Sequence, residues 1–107
     1  MLLVEISISP LDKGQSVSKY VARSLDIIDK SGLDYELHAM GTILEGEWDE
    51  VMAVVKKCFD AVRRDADRVT MSLKADWRKG RSGAVRGKTT SVERRLGRKL
   101  RTAGRTP

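Results

Sequence analysis

An α+β sandwich in the order βαββαβ is the fold class this sequence predicts, and three observations predict it. Residues 2–9 and 69–78 alternate apolar and polar side chains with the period of two that a half-buried strand requires. Residues 17–28 and 51–62 place apolar side chains three and four apart, the spacing of an amphipathic helix. Between these helical stretches, residues 35–48 read as two short strands reversing at Met40-Gly41 and running through Glu45-Gly46 into a helix.

Each element follows from its residues. In the first strand Val4, Ile6 and Ile8 share one face, and Glu5, Ser7 and Ser9 the other. Residues 10–15 form a loop, and Ser16 is the expected N-cap of the first helix. Val17, Tyr20, Val21, Ser24, Leu25 and Ile28 make the buried face of that helix, which Ser31-Gly32 ends. In the hairpin Tyr35, Leu37 and Ala39 alternate with Glu36, His38 and Met40. The second helix, about residues 47–64, buries Val51, Val54, Val55, Cys58, Phe59 and Val62. Acids crowd its first turn and Arg63-Arg64 its last, as the helix dipole favours. The fourth strand sets Val69, Met71, Leu73, Ala75 and Trp77 against Thr70, Ser72, Lys74, Asp76 and Arg78. Right-handed βαβ crossovers then yield a four-stranded antiparallel sheet with two helices on one face, the ferredoxin-like arrangement.

With 107 residues and 40% hydrophobic content, the chain makes one domain with one modest core. The expected divisions are a core over residues 1–78, a basic Gly-rich loop over 79–90 and a C-terminal helix over 91–103. Val92, Leu96 and Leu100 give that helix a narrow apolar stripe, and Gly97 weakens it by roughly 1 kcal/mol relative to Ala. No apolar run reaches the ~18 residues of a membrane span, and the first residues lack the basic flank of a secretory leader. A single cysteine, Cys58, excludes an internal disulfide framework. These features lead us to expect a soluble cytoplasmic protein.

Charge is unevenly spread. Residues 1–77 carry ten Lys/Arg and fourteen Asp/Glu, whereas residues 78–107 carry eleven Lys/Arg and one Glu. The basic stretch suits docking as a solvated helix, contact with nucleic acid, or capture of a small anion. It holds no aromatic residue for base stacking. The sheet face away from the two helices is expected to carry Glu5, Ser7, Ser9, Glu36, His38, Met40, Thr70, Ser72, Lys74 and Asp76, either solvated or as a subunit interface. His38, with no Cys partner at a ligand spacing, makes no zinc site and fits a structural or interface role. Cys58 belongs to a buried stripe with no activating base nearby in sequence, so it reads as core. Trp48 is expected over the core, and Trp77 either in the core or closing the sheet edge.

The segments Ser9-Pro10-Leu11, Gly14-Gln15-Ser16-Val17-Ser18, Tyr20-Val21, Met40-Gly41-Thr42, Glu45-Gly46 and Ser91-Val92-Glu93 occur in an order that resembles a family of small thiamine-binding proteins. These are single-domain relatives of the YkoF thiamine-binding proteins, and the Met-Gly-Thr-x-x-Glu-Gly block is the most specific part of the likeness. The resemblance implies a ferredoxin-like subunit that assembles into homodimers or homotetramers. It further implies binding of thiamine, or its hydroxymethylpyrimidine part, without chemistry and with no cofactor or metal.

An aminopyrimidine needs an apolar slot with a few donors and acceptors along its edge. Ser9 and Thr42 offer hydroxyls, and Met40 a polarizable surface. Glu45 offers a carboxylate for the exocyclic amine and the thiazolium charge, against the plainer role of a strand-end acid paired with an Arg. Ser16 and Ser18 offer hydroxyls and N–H groups at a helix start. Arg78 and Arg81 are the expected contacts to a phosphate. The rival expectation is a nucleic-acid-associated basic protein. An enzyme using Glu45 ranks below both, because no second catalytic partner stands at a meaningful spacing.

Overall fold

The computed structural model describes residues 1–14 and 17–102. The elements are β1 (Leu2–Pro10), α1 (Ser18–Lys30), β2 (Asp34–His38), β3 (Gly41–Gly46), α2 (Trp48–Arg63), β4 (Val69–Trp77) and α3 (Ala84–Leu96). The sheet is antiparallel in the order β2-β3-β1-β4, with Leu2 opposite Gly46 on one side and Trp77 on the other. This is the ferredoxin-like fold that the periodicity predicts.

The core lies between the sheet and the paired helices α1 and α2. Leu2, Val4, Ile6 and Ile8 from β1 meet Leu44 of β3, Ile28 of α1 and Val51, Val55, Cys58 and Val62 of α2. Strand alternation delivers every second residue of β1 to this layer, and helical spacing delivers the stripe of α2. Packing centres on β1, so the edge strand β4 is thinly covered. Met71 and Trp77 stay exposed although they point to the helical side. Trp48 is 59% exposed in the first turn of α2, so it does not cap the core as expected. Three residues on, the helix has turned its apolar face inward at Val51.

The C-terminal region departs furthest from expectation. The helix runs Ala84–Leu96, so most of the predicted 79–90 loop is helical and the predicted 91–103 helix ends early. Gly83 (φ 69°) and Gly97 (φ 72°) flank it in left-handed conformations that other residues seldom adopt. Gly97 is therefore the C-terminal cap, its N–H donating to Glu93 and Arg94 carbonyls, and not an interior weak point. Glu93 then turns its own carboxylate to the Leu100 N–H at 2.7 Å. At the other end, the first turn of α3 sits on the sheet face away from α1 and α2. That face, expected to be either solvated or a subunit interface, thus has a partial cover from within the chain.

Candidate functional site

A cleft of about 240 Å³ lies between α1 and the end of the sheet where β2 turns into β3. Its floor is Ile6 and Ile8 of β1; its roof is Val17, Val21, Ser24, Leu25 and Ile28 of α1. Leu37, Ala39 and Met40 form the rim, and Thr42 of β3 faces inward. Local sequence explains the opening. The Ala39-Met40 turn leaves the sheet, and α1 begins only at Ser18, so neither closes the space between them.

The walls are apolar with a few hydroxyls. Thr42 is 4% exposed and Ser24 is 6% exposed, and the Ser24 Oγ has no hydrogen-bond partner. Among the described residues no Asp, Glu, Lys or Arg lines the cleft. His38 is the one titratable group on its edge, with Nε2 lying 3.4 Å from Glu36 Oε2 but not aligned for a hydrogen bond. Among the described residues no group of acids, His and Cys could hold a metal ion.

Of the residues singled out from sequence, Met40 and Thr42 converge on this cleft; Ser9 borders it from β1, but strand alternation puts its side chain on the sheet face opposite Ile6 and Ile8. Met40 sits in the turn, 89% exposed at the mouth, and not on the outer sheet face as expected. Ser16 lies outside the described residues. Ser18 is the first residue of α1 and is exposed, one position beyond Val17, which does line the cleft.

Glu45 is not at the cleft of its own subunit. Thr42 pairs with Ile6 and Glu45 with Leu3, three residues further along β1, or about 10 Å at strand rise. An odd spacing also sends the two side chains to opposite faces of the sheet. On its face Glu45 is 5% exposed, and both carboxylate oxygens accept the Ala84 N–H, at 3.0 and 2.9 Å. The acid is consumed in starting α3.

Arg78 and Arg81 are also remote. Trp77 pairs with Leu2 whereas the cleft floor begins at Ile6, about 13 Å away along β1. Arg81 donates to the Asp76 carbonyl and carboxylate at 3.3 and 3.2 Å, while its own carbonyl takes the chain's terminal ammonium at 3.1 Å. It ties this loop to the end of β4 through Nη2, while its Nε makes no hydrogen bond among the described residues.

Cys58 is fully buried, and burial pushes its thiol up to about 11 against a weaker opposing pull from the Ser24 side chain; the thiol itself donates to the Ser24 carbonyl at 3.5 Å. A thiol held protonated in this way is a core residue and no nucleophile. Ser24 is the site residue that sequence reasoning left in the core. Its signal was a hydroxyl inside an otherwise apolar helical stripe.

Thiamine-binding proteins as a family match residues 4–93 of the chain. This chain belongs to the thiamine-binding protein family. The matched span takes in the whole cleft and the ferredoxin-like core around it. A UPF0045 protein of Methanocaldococcus jannaschii is 42% identical over 91 residues, covering 85% of this chain and 91% of that protein. The crystal structure of a hypothetical protein from the same organism matches with a TM-score of 0.79 at 42% identity, covering 85% of this chain and 94% of that one. A putative thiamine biosynthesis/salvage protein of Thermotoga maritima shares the fold, with a TM-score of 0.74 at 24% identity over 85% of this chain and 97% of that one. Membership in the thiamine-binding family agrees with the resemblance carried by the Met-Gly-Thr-x-x-Glu-Gly block. No helix of the described residues is long and apolar enough to cross a membrane.

Proposed function

We propose that this protein binds the aminopyrimidine portion of thiamine, or a free hydroxymethylpyrimidine, in the cleft under α1, as a non-enzymatic homo-oligomer. The observation that carries the reading is the cleft itself, in a chain of the thiamine-binding family. At about 240 Å³ it falls below the roughly 300–1,000 Å³ of pockets for drug-sized ligands, so one ring fits better than two. Its apolar walls suit the faces of a flat heterocycle, and the Thr42 hydroxyl suits its edge. The absence of a carboxylate on these walls leaves the cationic thiazolium without a partner inside, which favours a position at the mouth near Met40.

Self-association is part of the proposal. Met71 and Trp77 on edge strand β4, and Val92 and Leu96 on α3, are exposed apolar side chains that a second copy would cover. Isothermal calorimetry with thiamine, 4-amino-5-hydroxymethyl-2-methylpyrimidine and thiamine phosphates tests the ligand. Heat from the first two supports the reading; no heat and no thermal shift at millimolar ligand overturns it.

A second reading rests on a different observation. Arg78, Lys79, Arg86, Arg94 and Arg95 are exposed and make no ion pair among the described residues. Such a surface suits a phosphate backbone. It predicts binding to nucleic acid that weakens steeply with salt and is lost when Arg86, Arg94 and Arg95 are all changed to Gln.

A further inference from the structure

Ser24 stands out among the buried polar groups. A serine inside a helix ordinarily returns its hydroxyl to a carbonyl three or four residues back. Ser24 does not: its Oγ is buried without a partner in the wall of the cleft. Its backbone is held from behind, where the Cys58 Sγ of α2 donates to the Ser24 carbonyl at 3.5 Å. Thr42, from β3 in the same cleft, is as deeply buried and makes no side-chain hydrogen bond among the described residues.

We propose that Ser24 is the specificity-determining residue of the cleft: its unpaired hydroxyl, with that of Thr42, reads the polar edge of an uncharged heteroaromatic ring. The inference rests on the ring-binding function proposed above and adds which group selects the ring. Each hydroxyl offers one donor and accepting lone pairs, so the two satisfy neighbouring donor and acceptor sites such as a ring nitrogen beside an amine. Neither carries charge, and among the described residues no Asp, Glu, Lys or Arg lines the cleft, so an ionised carboxylate or phosphate loses its water there without compensation. A ring of the same shape lacking the polar edge leaves both hydroxyls unpaired, which is the stronger form of discrimination.

The test is calorimetry on the wild type, Ser24→Ala and Thr42→Val with 4-amino-5-hydroxymethyl-2-methylpyrimidine and with its analogue lacking the 4-amino group. Thermal unfolding of each ligand-free protein accompanies it. The expected result is wild-type preference for the amine-bearing ring, and an affinity for it that falls about tenfold in Ser24→Ala. The deaminated analogue should bind wild type and Ser24→Ala alike. Ser24→Ala should melt at the same or a higher temperature, since it removes a buried polar group that has no partner. Equal binding of the amine-bearing ring by wild type and Ser24→Ala overturns the inference and leaves the proposed function standing. A clear drop in the melting temperature of Ser24→Ala overturns it too, by revealing a structural partner for the hydroxyl. If the wild type binds neither ring, the ring-binding reading and this inference fall together.

Discussion

Both oxygens of the Glu45 carboxylate accept the backbone N–H of Ala84, joining β3 to the start of α3 across 39 residues of chain. The contact is buried and lies on the sheet face away from the cleft. An acid at a helix N-terminus is favoured by both the free N–H groups and the dipole. It explains why α3 begins at Ala84, within a stretch whose composition reads as loop.

Glu45→Ala should therefore act on stability. Loss of this cap, with a buried N–H left unpaired, should cost about 1–3 kcal/mol and reduce helical circular dichroism. Urea unfolding checks the first and the far-ultraviolet spectrum the second. Affinity for the pyrimidine should stay within about twofold; a loss of tenfold would return Glu45 to the ligand site.

Thr42→Val should have the opposite profile. The two side chains are nearly the same size, and the Thr42 hydroxyl makes no hydrogen bond among the described residues, so the urea midpoint should hardly move. Ligand affinity should fall about tenfold, the worth of one hydrogen bond near 1.4 kcal/mol. Calorimetry beside urea unfolding separates the two effects.

Two glycines should respond with opposite sign. A Cβ on Gly46 would stand 2.9 Å from Leu33 Cδ2 and 3.2 Å from Val51 Cγ2 in the core, so Gly46→Ala should destabilise by about 1–3 kcal/mol. A Cβ on Gly87, inside α3, meets nothing within 4 Å. Gly87→Ala should stabilise by up to about 1 kcal/mol through helix propensity. Denaturation midpoints of the pair decide it.

Alkali should expose the buried thiol. Cys58 holds its proton to about 11 in the folded protein, whereas in the unfolded chain it ionises near an ordinary thiol value of about 8.5. Between those values the unfolded state binds fewer protons, so stability contributed by the neutral thiol is complete below about pH 8.5 and lost as pH rises toward 11. The urea midpoint of the wild type should fall more steeply over that window than that of Cys58→Ala. Parallel slopes would show that the thiol is not protected.

Much of the fold was legible because side-chain period reports backbone geometry directly. Val4, Ile6 and Ile8 announce a strand and Val51, Val55, Cys58 and Val62 a helix, and these residues do form one core. Trp48 shows the limit of that logic: size and hydrophobicity suggest burial, but its place in the first turn of α2 leaves it outside. The candidate site was half legible. Met40 and Thr42 come together because the turn and the start of β3 lie at one end of the sheet, whereas alternation along β1 turns the Ser9 side chain to the other face. Glu45 is near Thr42 in sequence, yet pleating turns it to the other face.

What the amino-acid sequence determined by itself is the βαββαβ order, the core-facing residues and the family, since each is written in local spacing and motif. Tertiary structure alone decided where α3 starts, which polar groups have partners and which hydroxyls share a cavity. Those outcomes depend on contacts between residues far apart in the chain, such as Glu45 with Ala84 and Cys58 with Ser24. Local preferences cannot specify them, because a hydrogen bond is made or missed only once distant elements have packed.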